Sequence, residues 1–262
     1  PGHPTGLDMT DNGDTMTLKI GVIGCGLKAA SYARAWVKSP LNPQFTALTD
    51  TSPASIDRYA DIVRNAGGNP RIYPTAEALL EAAQTHDRVV LVGHEKRYDP
   101  GVAFAHDFIR DEIGELIGLK HWYCDSTYRY SVTDTLQPII ESSSAVRRPP
   151  GNPKADRQRY LVLGHGSHML DTARYLGGPL EAIRARLSIK ADTYCWFLEV
   201  AYANGCLGQL DLTIPVRMDW WEGFQVYGSE GSVIGKLFNP WHLRAAEVQA
   251  FSVKDDQYHQ PI

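Results

Sequence analysis

The stretch LKIGVIG at 18–24 runs through Cys25-Gly26 directly into LKAASYARAWVK, and no other part of the sequence limits the possible folds as strongly. Leu18, Ile20, Val22 and Ile23 predict a buried strand, and the spacing of Leu27, Ala30, Ala33 and Val37 predicts a helix that Ser39-Pro40 stops. Between them lies GxGxxA at 24–29. Gly24 permits the tight turn, Gly26 lets backbone amides approach a pyrophosphate, and Ala29 is small enough for close helix packing. The amides that open the helix at Leu27 add a partial positive charge. Asp50 ends the next strand, FTALT, 50 − 24 = 26 residues on. There a carboxylate can bind a ribose 2′-OH and would repel a 2′-phosphate, so NAD is the expected cofactor and NADP is disfavoured. An Asx-turn at the Thr51 to Pro53 bend suits the same position, and both readings stand at this point.

The pattern continues with a helix from Pro53 to Gly67-Gly68-Asn69-Pro70, a short strand at Arg71 to Tyr73, and Thr75 capping AEALLEAAQ. VVLVG at 89–93 reads as a further, fully apolar strand. Strands alternating with helices predict a parallel sheet covered on both faces. After Pro100 comes one more helix, FAHDFIRDEI, and then strands dominate: LIGLKHWYCDS, AIRARLSIK, CWFLEVAYANGCLGQLDLTI with a hairpin turn at Asn204-Gly205, and FQVYGSEGSVIGKL. One helix, SHMLDTARYLG, accompanies them. The expected fold class is α/β: an abbreviated Rossmann-type doubly wound parallel sheet, followed by an α+β domain with an open, mainly antiparallel sheet. Residues 1–17 are expected to be a disordered leader, 18–99 the dinucleotide-binding domain, and 100–262 a domain for substrate binding and oligomerisation.

Charge and cysteine usage narrow the functional classes. With 26 Lys+Arg against 30 Asp+Glu the net charge is −4, which offers no basic field for nucleic acid or anionic lipid. No stretch approaches the ~18 apolar residues of a membrane span, and the opening PGHPTGLDMTDNGDTMT has neither a basic start nor an apolar run. A cytoplasmic protein is expected. Cys25, Cys124, Cys195 and Cys206 form no CxxC pair; they read as reduced, packed thiols, and no metal site is expected.

Smaller features leave alternatives open. His121, Tyr123 and Asp125 share one strand face, either lining a sugar pocket or, the commoner case, forming ordinary sheet surface. The segment at 131–160 has no clear period; with Arg147, Arg148, Lys154, Arg157 and Arg159 it reads as a lid over an acidic substrate or, more simply, a solvated loop. Trp220-Trp221 and Trp241 suit either a sugar ring or a subunit interface.

In order, LKIGVIGCGLKAASYARAWVKSP, ALTDTSP, DRVVLVGHEKRYDP, IGELIGLK, GHGSHMLDTARYLGG and YGSEGSVIG resemble the landmarks of the Gfo/Idh/MocA oxidoreductases, the glucose-fructose oxidoreductase and inositol dehydrogenase family. The resemblance runs from about Leu18 to Gly235. It implies an NAD-dependent dehydrogenase of a sugar or cyclitol hydroxyl, a small-molecule substrate, and a homo-oligomer, dimer or tetramer, formed through the C-terminal sheet. Residue by residue, it implies that Gly24, Gly26, Leu27, Ala29 and Asp50 hold the cofactor, that His168 is catalytic, and that Asp171, His165 and Arg97 bind substrate. Asp171 at i+3 from His168 places both on one helix face. Two departures stand out. Gly164 occupies the place of the family's aspartate four residues before the histidine, with His165 beside it as a substitute in a proton relay. The family's Glu-Lys-Pro segment is absent, together with a strand, helix and strand, and Glu95-Lys96-Arg97 lies in the later GxxxRY-P landmark. DDQYHQPI also stops before the family's final strand and helix. The chain is therefore expected to be part of a longer protein, the alternative being a shortened relative that binds NAD or forms oligomers without turnover.

Overall fold

A computed structural model describes residues 17–126, 155–239 and 244–260. Residues 1–16 of the expected leader, with Arg147, Arg148, Lys154 and Trp241, lie outside the described residues. The chain divides into two compact units, the first running to Val92 and the second resuming at Gly93.

The first unit alternates strand and helix: β1 (Lys19–Ile23), α1 (Leu27–Trp36), β2 (Gln44–Thr49), α2 (Pro53–Asn65), β3 (Arg71–Ile72) and α3 (Ala76–Thr85). The three strands are parallel, in the order β1-β2-β3. Local chemistry sets the boundaries. Ser52 accepts a hydrogen bond from the Ser55 amide, with Pro53 in the first turn of α2, and Thr75 accepts from the Ala78 amide to open α3. Ala30 and Ala33 of α1 pack with Phe45, Leu48, Tyr59, Ala60 and Val63 in one core. Tyr32, Trp36, Phe45 and Tyr59 continue it as a series of ring contacts.

Two sequence expectations are corrected here. β1 is not a buried strand: Ile20 and Val22 lean on the core while Ile23 is 46% exposed, and β2 is its only hydrogen-bonded neighbour among the described residues. Val89 to Gly93 is not a strand at all. Val89 is 94% exposed, and Val90, Leu91 and Val92 are exposed as well. An apolar run becomes a buried strand only when an adjacent edge completes its hydrogen bonds.

The second unit holds a one-turn helix (Glu95–Tyr98), α4 (Pro100–Glu112), β4 (Leu116–Cys124), α5 (Arg157–Leu161), a wide π-type turn (Val162–Gly166) and α6 (Ser167–Gly177). Strands β5 (Leu180–Lys190), β6 (Thr193–Tyr202), β7 (Leu207–Ile214), β8 (Trp221–Gly228), β9 (Gly231–Leu237), β10 (Glu247–Ser252) and β11 (Gln257–His259) follow. With β4 they form an eight-stranded sheet, ordered β11-β10-β9-β8-β4-β7-β6-β5. Only β4 and β7 run parallel, so the sheet is mainly antiparallel as expected. α6 packs on β4, and α4 packs on β9 and β10. The core beneath them includes Val102, Phe108, Leu119, Met169, Leu210, Leu212, Phe224 and Val226. The opposite sheet face leaves Ile117, Phe197, Leu207, Trp221, Tyr227 and Ile234 exposed. No helix among the described residues is long and apolar enough to cross a membrane.

Gly235, in the YGSEGSVIG landmark, lies directly under the buried Phe224 ring, and a Cβ there would overlap it. Gly235→Ala is expected to cost about 1–3 kcal/mol by overpacking, read as a lower denaturant midpoint. An unchanged midpoint would mean that the ring has room to move.

Candidate functional site

In the first unit the glycine turn has the form its sequence predicts. Gly24 sits at φ 90°, a conformation that favours glycine, and its amide donates to the Thr49 carbonyl. Gly26 caps α1 without any side-chain hydrogen bond, and a Cβ placed at Gly24 or Gly26 would meet nothing within 4 Å. The first-turn amides of α1 thus have no side-chain cap, with open space above the turn, which fits a pyrophosphate. Leu27 opens the helix by its backbone, though its side chain is outside the described residues, and Ala29 packs against the core. Asp50 makes the Asx-turn and also reaches the glycine turn. Its Oδ1 accepts from the Ser52 amide at 2.7 Å as an Asx-turn, while Oδ2 accepts from the Cys25 amide at 2.6 Å, on the glycine turn itself. Each oxygen keeps a further lone pair for a sugar hydroxyl. Burial, and then the nearby Asp50 charge, push the Cys25 thiol up to about 11, so it is an inert packed group.

In the second unit the one-turn helix, β4, β8 and α6 bring a polar cluster together. His168 Nδ1 lies 3.7 Å from Glu95 Oε2, and its ring meets the His94 ring edge-on with centroids 5.5 Å apart. That buried nitrogen has no hydrogen-bond partner among the described residues. His165 Nδ1 pairs with the Tyr123 hydroxyl at 3.2 Å, with Asp125 Oδ2 3.9 Å away. Nothing lies within 4 Å of where a Cβ on Gly164 would stand. Asp171 receives two hydrogen bonds from Arg97, at 2.6 and 2.7 Å, and faces His94 at 3.3 Å. Burial alone would raise the Asp171 carboxyl, but Arg97 and His94 hold it below the usual range. His168, His165, Asp171 and Arg97 thus gather in one unit, with the Asp171 carboxylate engaged by Arg97.

Sequence reasoning missed the deepest part of the cluster. Lys96 Nζ donates to both oxygens of Glu222, at 2.7 and 2.5 Å, and both side chains are buried. His121 Nδ1 donates to the Met169 carbonyl at 3.1 Å, and its Nε2 stands 3.3 Å from Glu222 Oε1. The Trp220 indole N–H donates to Glu222 Oε2 at 3.2 Å. Burial by itself would push the Glu222 carboxyl up; Lys96 and His121 outweigh it and hold the group below its ordinary value. The His121, Tyr123, Asp125 stripe had signalled this face, and all three are buried rather than ordinary sheet surface. Trp220 joins the cluster, whereas Trp221 is exposed with Lys236 over its ring.

Desolvation, then the charges of His168 and Lys96, push His165 down to about 4. His168 is lowered chiefly by burial and next by Lys96. An unfolded histidine titrates near ~6.5. Below that pH the unfolded chain binds more protons than the folded one, so the stability these groups contribute is complete above ~6.5 and falls towards pH 4. The melting temperature is expected to drop between pH 7.5 and 5, and to drop less in a His165→Gln/His168→Asn variant. Equal pH sensitivity of the two proteins would contradict the assignment.

Residues 139–234 match the model of the GFO/IDH/MocA C-terminal domain. A search of curated proteins finds no match. Among solved structures, levoglucosan dehydrogenase in complex with NADH and levoglucosan is 18% identical, with a TM-score of 0.62 over 94% of this chain and 79% of that one. An NAD-binding oxidoreductase from Klebsiella pneumoniae is 17% identical, with a TM-score of 0.61 over the same shares. An oxidoreductase from Agrobacterium radiobacter, in complex with NAD+, L-tartaric acid and magnesium, is 14% identical with a TM-score of 0.60, again over 94% and 79%. These likenesses establish the fold.

Proposed function

We propose that this chain, which carries a GFO/IDH/MocA C-terminal domain, is an NAD-dependent oxidoreductase acting on a hydroxyl-bearing carbon of a sugar or cyclitol. The observation that carries this reading is the half-buried imidazole of His168, whose buried Nδ1 stands beside Glu95 with no hydrogen-bond partner among the described residues. A buried polar atom left without a partner is costly in a purely structural role. A neutral imidazole with an uncommitted ring nitrogen suits accepting the proton of a reacting hydroxyl. Tyr123, His165 and Asp125 continue the polar line beside it, and Arg97 and Asp171 brace the helix that carries it. In the first unit Gly24, Gly26, Leu27 and Ala29 would present amides to the pyrophosphate, and Asp50 would grip the ribose. NAD, when bound, would supply the hydride acceptor. The fold shared with structures holding NADH and a sugar, or NAD+, supports the same reading. The apolar face with Leu207, Tyr227 and Ile234 supports a homo-oligomer formed through the sheet.

The test combines NADH binding by fluorescence with NAD reduction across a panel of polyols. Binding with turnover is expected; binding without turnover rejects the enzymatic reading, and no binding rejects the cofactor assignment. Asp50→Ala is expected to weaken NAD roughly tenfold or more, as loss of a hydrogen bond to a charged group implies. Unchanged affinity would remove Asp50 from the ribose. A second reading, a relative that binds NAD without turnover, is favoured by the exposed Val89–Val92 run, which forms no strand, and by a first sheet that has no strand beyond β1 among the described residues.

A further inference from the structure

Lys96 lies in a segment that the sequence reading set apart from catalysis, and the described residues give it an unusual environment. Its ammonium is buried against Glu222, 4.3 Å from the Tyr123 ring centroid and 5.1 Å from that of Trp220. Those two rings meet edge-on, with centroids 4.8 Å apart, and the Trp220 N–H closes on the same Glu222 carboxylate. The Tyr123 hydroxyl bonds His165, three residues before His168 on the same helical run. A buried ion pair is weak evidence for stability, since apolar residues of similar volume often serve as well. Its location beside two imidazoles gives it another purpose.

We propose that Lys96 is a positioning residue: clamped by Glu222 and walled by Tyr123 and Trp220, it fixes the Tyr123–His165 contact and sets a fixed positive charge behind His165 and His168. This deepens the reading that His168 accepts the substrate proton, and rests on it. A neighbouring cation disfavours a second positive charge on either ring, so both stay available as proton acceptors at neutral pH. The groups facing these histidines are His94, Glu95 and Lys96 from the segment before α4, Tyr123 and Asp125 from β4, and Glu222 from β8. Glu95, Asp125 and Glu222 oppose the effect of Lys96. Burial lowers both histidines further, and the Lys96 charge acts in the same direction.

The test is a Lys96→Met/Glu222→Gln variant, which removes both charges together and leaves no lone buried ion, alongside Lys96→Arg, which keeps the cation. NADH affinity, a property of the first unit, is expected to stay within about twofold in both, so a loss there would point to the cofactor reading instead. In the double variant kcat is expected to fall about tenfold or more with KM changed little, and NMR titration midpoints of His165 and His168 to rise, because Lys96 acts on both rings more strongly than the opposing Glu222 removed with it. Lys96→Arg is expected to keep the wild-type midpoints. A folded double variant whose histidine midpoints do not move overturns the proposal. The NMR readout needs no turnover, so failure of the wild-type protein to oxidise any polyol would count against the enzymatic reading while the charge effect is still decided.

Discussion

Glu222→Ala lowers the melting temperature of the second unit by roughly 6–20 °C. The substitution leaves the Lys96 ammonium buried without its counter-charge, since both Glu222 oxygens take its hydrogen bonds and neither side chain reaches solvent appreciably. Breaking one half of such a pair costs about 3–5 kcal/mol, and each kcal/mol is worth about 2–4 °C in a domain of this size. His121 and Trp220 lose a partner in the same step, which adds unsatisfied buried nitrogens to the cost. Removing both charges with Lys96→Met/Glu222→Gln restores most of the loss, because desolvation of two ions disappears along with their attraction. A drop of under about 2 °C on Glu222→Ala would show that water reaches Lys96 and that the pair is not the buried clamp described above.

His168→Ala lowers turnover of a responsive polyol by about 10²–10⁴, the usual contribution of a positioned acid–base group. NADH affinity is expected to hold within about twofold, because the residues assigned to the nucleotide belong to the first unit. The folded state should tolerate the change well. Among the described residues the buried Nδ1 makes no hydrogen bond that would be lost, and the fully buried residues of α6 that form its core face include Met169 and Ala173 rather than His168. If the variant turned over within about threefold of the wild type, proton transfer would have to be assigned elsewhere, with His165 the first residue to examine.

Most of the strand and helix order was legible because its signals are local. Ser52-Pro53 and Thr75 announce helix starts by their own chemistry. Asn204-Gly205 announces a hairpin, and Gly205 takes the positive φ of 84° that such a turn requires. VVLVG misled because an apolar run records what a segment would bury, not whether a sheet edge is there to receive it. The Lys96–Glu222 pair was invisible for a different reason. Its members stand 126 residues apart, with nothing local to link them, and only the meeting of the one-turn helix with β8 makes them partners. The His121, Tyr123, Asp125 stripe was readable as a face, but its burial depends on α6 lying over β4. β11 escaped notice because it is three residues long and DDQYHQPI reads as turn and tail, while β10, EVQAFS, is as long as β2 but carries only a weak alternation of Val248 and Ala250 with polar residues.

The bare side chains of Val89, Val90, Leu91 and Val92, together with an edge of β1 that no strand pairs among the described residues, are expected to drive copies of this chain together. Two copies can satisfy one another's idle backbone groups, so crowding works against the dissolved form and dilution favours it. A charged residue in place of Leu91 should extend the concentration at which the purified protein stays clear. In a living cell the same four residues are the kind of sticky, extended stretch that chaperones hold and proteases enter.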